Sequence, residues 1–251
     1  MNKTYNLFNE KLNFIGIVDS SKQYNISHML AHMLEKNGGA IEIKNTLDFF
    51  HEKDAIGSKI IEEYGMYLQQ QIDKGTEVVI LQVTLEFMEN YHLFMTPFDI
   101  VLYAVSDNQF SEEDYVERKN TIEMGKTLLR YLPQESIIIM NTDEPLDREV
   151  LNDLKNRFVI TYGLSSRATV TASSIETSPH VRFYSCIQRG ITTKQGTEIE
   201  PMEFPVQSNP AERNDVYSML AAESAALILG VTPENIVKGF SDFTGPYKNS
   251  K

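Results

Sequence analysis

The chain has 251 residues, with 35 acidic against 23 basic side chains and a net charge of −12. That balance excludes a nucleic-acid backbone or an anionic membrane as the main partner, because either would be repelled over most of the surface. The single cysteine, Cys186, excludes an intrachain disulfide and a cysteine-built zinc site.

The length suits one α/β domain, and no run approaches what a bilayer crossing needs, so the expectation is one cytoplasmic domain over residues 1–251. Residues 12–18 form an apolar run, Asp19-Ser20-Ser21-Lys22-Gln23 follows, and Ile26, Met29, Leu30, Met33 and Leu34 then recur at helical spacing. Strand, loop and helix in this order place backbone N–H groups where a phosphate chain would sit in a parallel α/β domain. Gly16 and Lys22 stand at the two ends of a G-x-x-x-x-G-K frame, but Ser21 holds the second glycine position and Gln23 the hydroxyl position. A phosphate loop needs those glycines for close backbone approach, the lysine for the β and γ groups and the hydroxyl for magnesium. The loop architecture is present with most of its working residues replaced. The candidate cofactor contacts here are Gly16, Ser20, Ser21, Lys22 and Gln23.

Asn37-Gly38-Gly39 reads as a helix C-cap and residues 40–43 as a short strand. A helix over 56–72 precedes the nearly continuous apolar strand 77–83, a short helix is expected over 85–91, and 98–104 is another strand buried on both faces. Ser111 with the acids after it starts a helix over 113–130. A strand over 136–141, a helix over 147–154 and a strand over 157–163 complete six parallel strands, a doubly wound core over residues 12–163. After Gly163 the pattern alternates: 168–175, 181–187 and 197–204 predict a small separate antiparallel sheet within 164–206. Helices over 213–229, with one apolar face, and 233–243, from a Thr-Pro cap, close the chain over 207–245.

His28 and His32 lie one turn apart on the first helix, but nothing at useful spacing completes a metal set, and they read as ordinary helix-face residues. No His and Asp arrangement supports Ser20, Ser21 or Cys186 as a nucleophile, which excludes hydrolase chemistry. Asn141-Thr142-Asp143-Glu144-Pro145 reads equally as a ligand-contacting strand end or as a helix start.

The ordered set of Ala31-His32-Met33-Leu34, Asn141 to Pro145, Thr161-Tyr162-Gly163, Asn214-Asp215-Val216-Tyr217 with Leu220-Ala221-Ala222, and Gly239-Phe240 with Phe243 and Gly245 resembles the central ATPase domain of the Mur ligases, MurE-like among them. The resemblance runs from about residue 12 to 245. It implies a P-loop NTPase-like fold, and an activity that joins an amino acid to a UDP-muramyl carboxylate through an acyl phosphate made with ATP and Mg2+. If Ala31 and His32 set the register, Asp19 replaces the first loop glycine, Lys22 the second, Gln23 the lysine and Tyr24 the threonine. A shift of one residue restores Lys22 as the lysine and leaves Ser21 and Gln23 out of place. The family's metal-binding Glu matches Gln82, a poor magnesium ligand beside a carboxylate, with Glu86 as a substitute four residues on. Lys119 falls near the family's carbamylated lysine and is the one catalytic candidate. Asn141 and Asp143 match nucleotide contacts.

The flanking UDP-binding and C-terminal domains of the family have no counterpart in these residues. The resemblance therefore implies either a diverged, catalytically impaired binding or regulatory module of peptidoglycan metabolism, or an ATP-dependent ligase whose other domains come from separate chains. The first reading carries further expectations. Magnesium-ATP binds weakly, a nucleotide or UDP-sugar is the candidate small ligand, and the rim after Thr161 with the tail over 243–247 self-associates or docks a partner protein.

Overall fold

The computed structural model describes residues 12–19, 25–49, 58–84, 87–88, 96–105, 115–144, 154, 156–209 and 215–245. Its strands in chain order are β1 (Asn13–Asp19), β2 (Ile41–Asn45), β3 (Val78–Gln82), β4 (Ile100–Ala104), β5 (Ile137–Asn141), β6 (Phe158–Tyr162), β7 (Val170–Glu176), β8 (Arg182–Ile187), β9 (Ile191–Thr192), β10 (Glu198–Ile199) and β11 (Met202–Gln207). Its helices are α1 (Asn25–Lys36), α2 (Ser58–Lys74), α3 (Tyr115–Tyr131), α4 (Val216–Ile228) and α5 (Pro233–Asp242), and a 3-10 turn spans Thr46–Phe49. The helix expected over 147–154 lies outside the described residues except for Leu154.

Nine strands form one sheet in the order β11-β8-β7-β6-β5-β4-β1-β3-β2. From β2 to β6 every neighbouring pair is parallel. The doubly wound, mainly parallel α/β class read from the apolar runs is what the chain forms. The central strands β3, β4 and β5 are apolar on both faces because each face carries a helical layer. Ile15 and Ile17 of β1 pack under α1 and α4, while Phe14 and Val18 pack on the opposite side with Tyr64 and Leu68 of α2 and Leu128 of α3.

Three details differ from the sequence expectation. Strands β7, β8 and β11 do not stand apart: β7 joins β6 in parallel at Tyr162 and Val170, then β8 and β11 follow antiparallel, so the parallel sheet grows three strands wider. Alternation reveals one wet face but not which edge a strand pairs with. The separate antiparallel sheet is the small β9-β10 pair. The expected strand over 197–204 is two strands, because Glu200 and Pro201 interrupt it before β11 starts. Finally, α4 is buried nearly all round, from Met219 through Ile228, rather than along one face.

The helix expected from 233 starts as read, and the one expected over 213–229 is capped at Asp215. Asp215 caps α4 by accepting from the Ser218 N–H at 2.9 Å, and Thr232 caps α5 with Pro233 in its first turn. At the outer edge of the sheet, Pro205 sits within β11 and removes a backbone donor from a strand that would otherwise invite pairing. No helix among the described residues is long and apolar enough to cross a membrane.

Candidate functional site

The carboxyl ends of the parallel strands meet beside β1, which has β3 on one side and β4 on the other, and in open α/β sheets such a reversal of strand order opens a crevice. Gln82 is the last residue of β3, Asn141 the last of β5 and Tyr162 the last of β6, so the sequence candidates at these strand ends share one edge of the sheet. The loop residues Ser20, Ser21, Lys22, Gln23 and Tyr24 lie outside the described residues, as does Glu86.

Gly16 is placed differently from its loop reading. It lies inside β1, paired in register with Leu81 and Val101, and a Cβ built on it would stand 3.0 Å from the Phe98 ring. The glycine makes room for an aromatic ring in the core layer, and β1 continues beyond it to Asp19.

Gln82 is engaged within the protein. Its Nε2 donates to Ser27 Oγ at 2.8 Å, and both side chains are buried. Ser27 belongs to the first turn of α1, so the amide ties the end of β3 to the start of the helix that follows the phosphate loop. Thr46, just after β2, completes the seam: its hydroxyl donates to the Gln82 carbonyl at 3.0 Å and accepts from the Thr84 N–H at 2.9 Å. Magnesium demands hard oxygen donors, commonly a carboxylate. The bond to Ser27 commits the Gln82 N–H and leaves a neutral amide oxygen, without the charge a carboxylate would bring to the position that the resemblance assigns to the metal. Neither Ser27 nor Thr46 is visible as a site residue in the sequence, because their partners lie 55 and 36 positions away.

On the far side of the edge, Asn141 Oδ1 accepts from the Asp143 N–H at 2.9 Å, turning the chain as it leaves β5. The Asp143 carboxylate then accepts from the backbone N–H of Leu164 and, at 3.2 Å, of Ser165, and from the Tyr217 hydroxyl at 3.3 Å. Burial, and then the neighbouring Asp143 charge, push the Tyr217 hydroxyl up, which keeps it a donor. Gly163 permits this approach: its φ is +149°, and a Cβ there would stand 2.8 Å from Asp143 Oδ2. Asp143 is thus a latch joining β5, the β6-β7 turn and the first turn of α4. The sequence motif was visible, but its internal partners were not.

Lys119 is exposed in the second turn of α3, the helix that follows β4. His28 and His32 project from α1; burial lowers both imidazole pKa values, and His32 meets the Phe243 ring edge-on at 5.8 Å. Among the described residues no group of three or more His, Cys, Asp or Glu could hold a metal ion. Phe243, expected on an exposed rim, is instead only 2% exposed, while Leu164 beside the Asp143 latch is 41% exposed. The exposed large apolar side chain of that rim is therefore Leu164 in the turn after Thr161; in the tail Thr244 is exposed, and residues 246–247 lie outside the described set.

No family model matches the chain. The chain is 24% identical over 245 residues to the UDP-N-acetylmuramoyl-L-alanyl-D-glutamate–2,6-diaminopimelate ligase 2 of Clostridium acetobutylicum, a match covering 93% of this chain and 47% of the relative. Among solved structures it is similar to MurF from Acinetobacter baumannii, with a TM-score of 0.66, 18% identity, and coverage of 95% of this chain and 48% of that one. MurF ligase from Thermotoga maritima, solved in complex with ADP, superposes with a TM-score of 0.58 at 14% identity over 92% of this chain and 48% of that one. The likeness to the Mur ligases read from the sequence is shared by relatives and structures alike, and the fold is theirs. The chain spans about half the length of the curated relatives it matches.

Proposed function

We propose that this chain is a Mur-ligase-like central domain that no longer drives amide formation with ATP and acts as a binding or regulatory module in peptidoglycan metabolism. The observation that carries this reading is the Gln82–Ser27 hydrogen bond, which puts an internally committed amide where the family resemblance expects a magnesium carboxylate. The loop sequence supports it, since Asp19, Ser21 and Gln23 replace residues that would wrap and neutralise phosphate. In calorimetry with ATP and Mg2+, the expected dissociation constant is weaker than about 1 mM, equivalent to roughly −4 kcal/mol. Low-micromolar binding would overturn the reading, because the loop would then work despite its residues.

A second reading keeps ligase activity, with the further domains of such a ligase supplied from outside these residues. It is favoured by the retained Asn141, Asp143 and Gly163 at the strand ends, where the resemblance places nucleotide contacts. The same calorimetry separates the two, since a ligase must bind its magnesium nucleotide.

The binding face of the module is the turn after Thr161, where Leu164 at 41% and Tyr217 at 37% exposure flank the Asp143 latch. Its candidate occupants are a second copy or a partner protein, with a UDP-muramyl ligand in the adjoining crevice. Sedimentation at micromolar concentration is expected to show self-association that Leu164→Asp weakens. A monomer at all concentrations, together with no retained partner in a pull-down that Leu164→Asp abolishes, removes the support for this face.

A further inference from the structure

Glu223 is an anomaly in the core. It sits in the middle of α4 among Leu220, Ala222, Ala226 and Leu227, fully buried. One carboxyl oxygen accepts from the Ser185 hydroxyl on β8, and the other, Oε2, has no hydrogen-bond partner among the described residues. An ionised carboxylate in such a place loses its hydration and gains one neutral donor in return. No part of the site described above uses this group. Yet the helix that carries it also carries Tyr217, which reaches Asp143 at the crevice edge.

We propose that Glu223 is a proton-operated lock on α4: in its neutral form it seats the helix on the sheet, and losing the proton loosens α4 and with it the Asp143–Tyr217 latch. Burial pushes this carboxyl up from its ordinary 4.5 to about 8, with the Ser185 hydrogen bond opposing in part.

Among the described residues Oε1 meets only the neutral Ser185 hydroxyl and Oε2 meets no partner, so no cation offsets the charge by direct contact. Helices α1 and α5 and strands β4 to β7 and β9 pack on α4, and β8 reaches it through Ser185. To that apolar cluster β6 contributes the side chain of Tyr162. Cys186, on β8, has its thiol pushed up by burial first, with Glu203 and Glu223 adding to the rise. His28 and His32 on α1 are pushed down, away from the charged form. Charged groups at the ends of these elements form ion pairs: Lys36 with Asp242, Lys238 with Glu234, Arg182 with Glu176, and Lys194, whose backbone N–H meets the Ile228 carbonyl at the end of α4, with Asp99; Asp215 caps the start of α4.

The sign follows from the direction of the shift. A carboxyl whose folded value lies above its unfolded value contributes stability that is complete below about 4.5 and is lost as pH rises toward about 8. Over that window the folding equilibrium constant falls about tenfold per pH unit on account of this one group. The test compares the full chain with Glu223→Gln, which keeps the shape and an acceptor for Ser185, in urea titrations from pH 5.5 to 7.5. The ratio of the two folding constants is expected to shift by about a hundredfold toward the variant across that range; superimposable profiles would overturn the proposal. Two readouts do not need the variant to fold. The Glu223 side-chain 13C resonance of the native chain is expected to titrate near pH 8, and a midpoint below pH 6 would end the idea. Hydrogen exchange, corrected for intrinsic rates, is expected to speed up in α4 and at Leu164 and Ser165 through the same pH window. If Glu223 titrates while those amides stay protected, the group is merely buried and the lock does not exist.

Discussion

Phe98→Ala is expected to lower the unfolding free energy by about 3–5 kcal/mol, the range for an aromatic side chain deleted from a packed core. Phe98 is 1% exposed, and its ring meets Phe87 at a centroid distance of 6.4 Å. On its other side it lies over Gly16, where a Cβ would come within 3.0 Å of the ring. The two positions fill one space with one ring and one hydrogen. Gly16→Ala alone should therefore cost about 1–3 kcal/mol by overpacking. In the double variant the new methyl would occupy part of the cavity left by the ring, so the combined loss should fall short of the sum of the two single losses by about 1 kcal/mol or more. Urea unfolding of the four proteins completes the cycle. A neutral Gly16→Ala in the native background would show that the ring does not require the glycine.

That pair also shows how far a sequence can be read. The frame of Gly16 and Lys22 matched a phosphate loop by spacing, and only the parallel register of β1 against β3 and β4 reveals that the glycine lies under a ring contributed from residue 98. The strands themselves were legible because both faces of β3, β4 and β5 are covered, which leaves a continuous apolar run that neither helix period nor alternation imitates. A helix start was legible where the Thr232-Pro233 cap announces α5, since the signal is local, whereas the Asp215 cap of α4 fell inside the helix expected from 213.

Contacts across the chain left no such trace. Gln82 was visible as a lost carboxylate, but its engagement with Ser27 depends on α1 being laid over the end of β3. Asp143 looked like a ligand contact and a helix start in equal measure, and neither reading named the Leu164, Ser165 and Tyr217 groups from which its oxygens accept. Glu223 did leave a trace, an acid inside Leu220-Ala221-Ala222-Glu223-Ser224-Ala225-Ala226. With α4 read as one-faced, that acid belonged on the wet side; no wet side exists, because the helix is enclosed by the sheet, α1 and α5.

The helix that carries Lys119 provides the second large effect. Gly125 lies in the interior of α3, where glycine costs about 1 kcal/mol relative to alanine, so something other than helix propensity keeps it there. A Cβ on Gly125 would stand 2.5 Å from the Tyr103 hydroxyl oxygen and 2.8 Å from two ring carbons, and Tyr103 is fully buried in β4 between β1 and β5. The ring cannot retreat, because it belongs to the same packed layer as Phe14, Leu81 and Leu128. The helix must move instead. Gly125→Val, which adds branched bulk and regains little propensity, is expected to cost more than about 3 kcal/mol, at the upper end of overpacking losses. Gly125→Ala should cost less, since its propensity gain offsets part of the clash. Tyr103→Leu, destabilising by itself, should remove most of the additional penalty of Gly125→Val when the two are combined, as thermal unfolding would show. Should Gly125→Val be tolerated in the native background, α3 does not rest on Tyr103 as described, and the placement of Lys119 beyond the end of β4 loses its anchor.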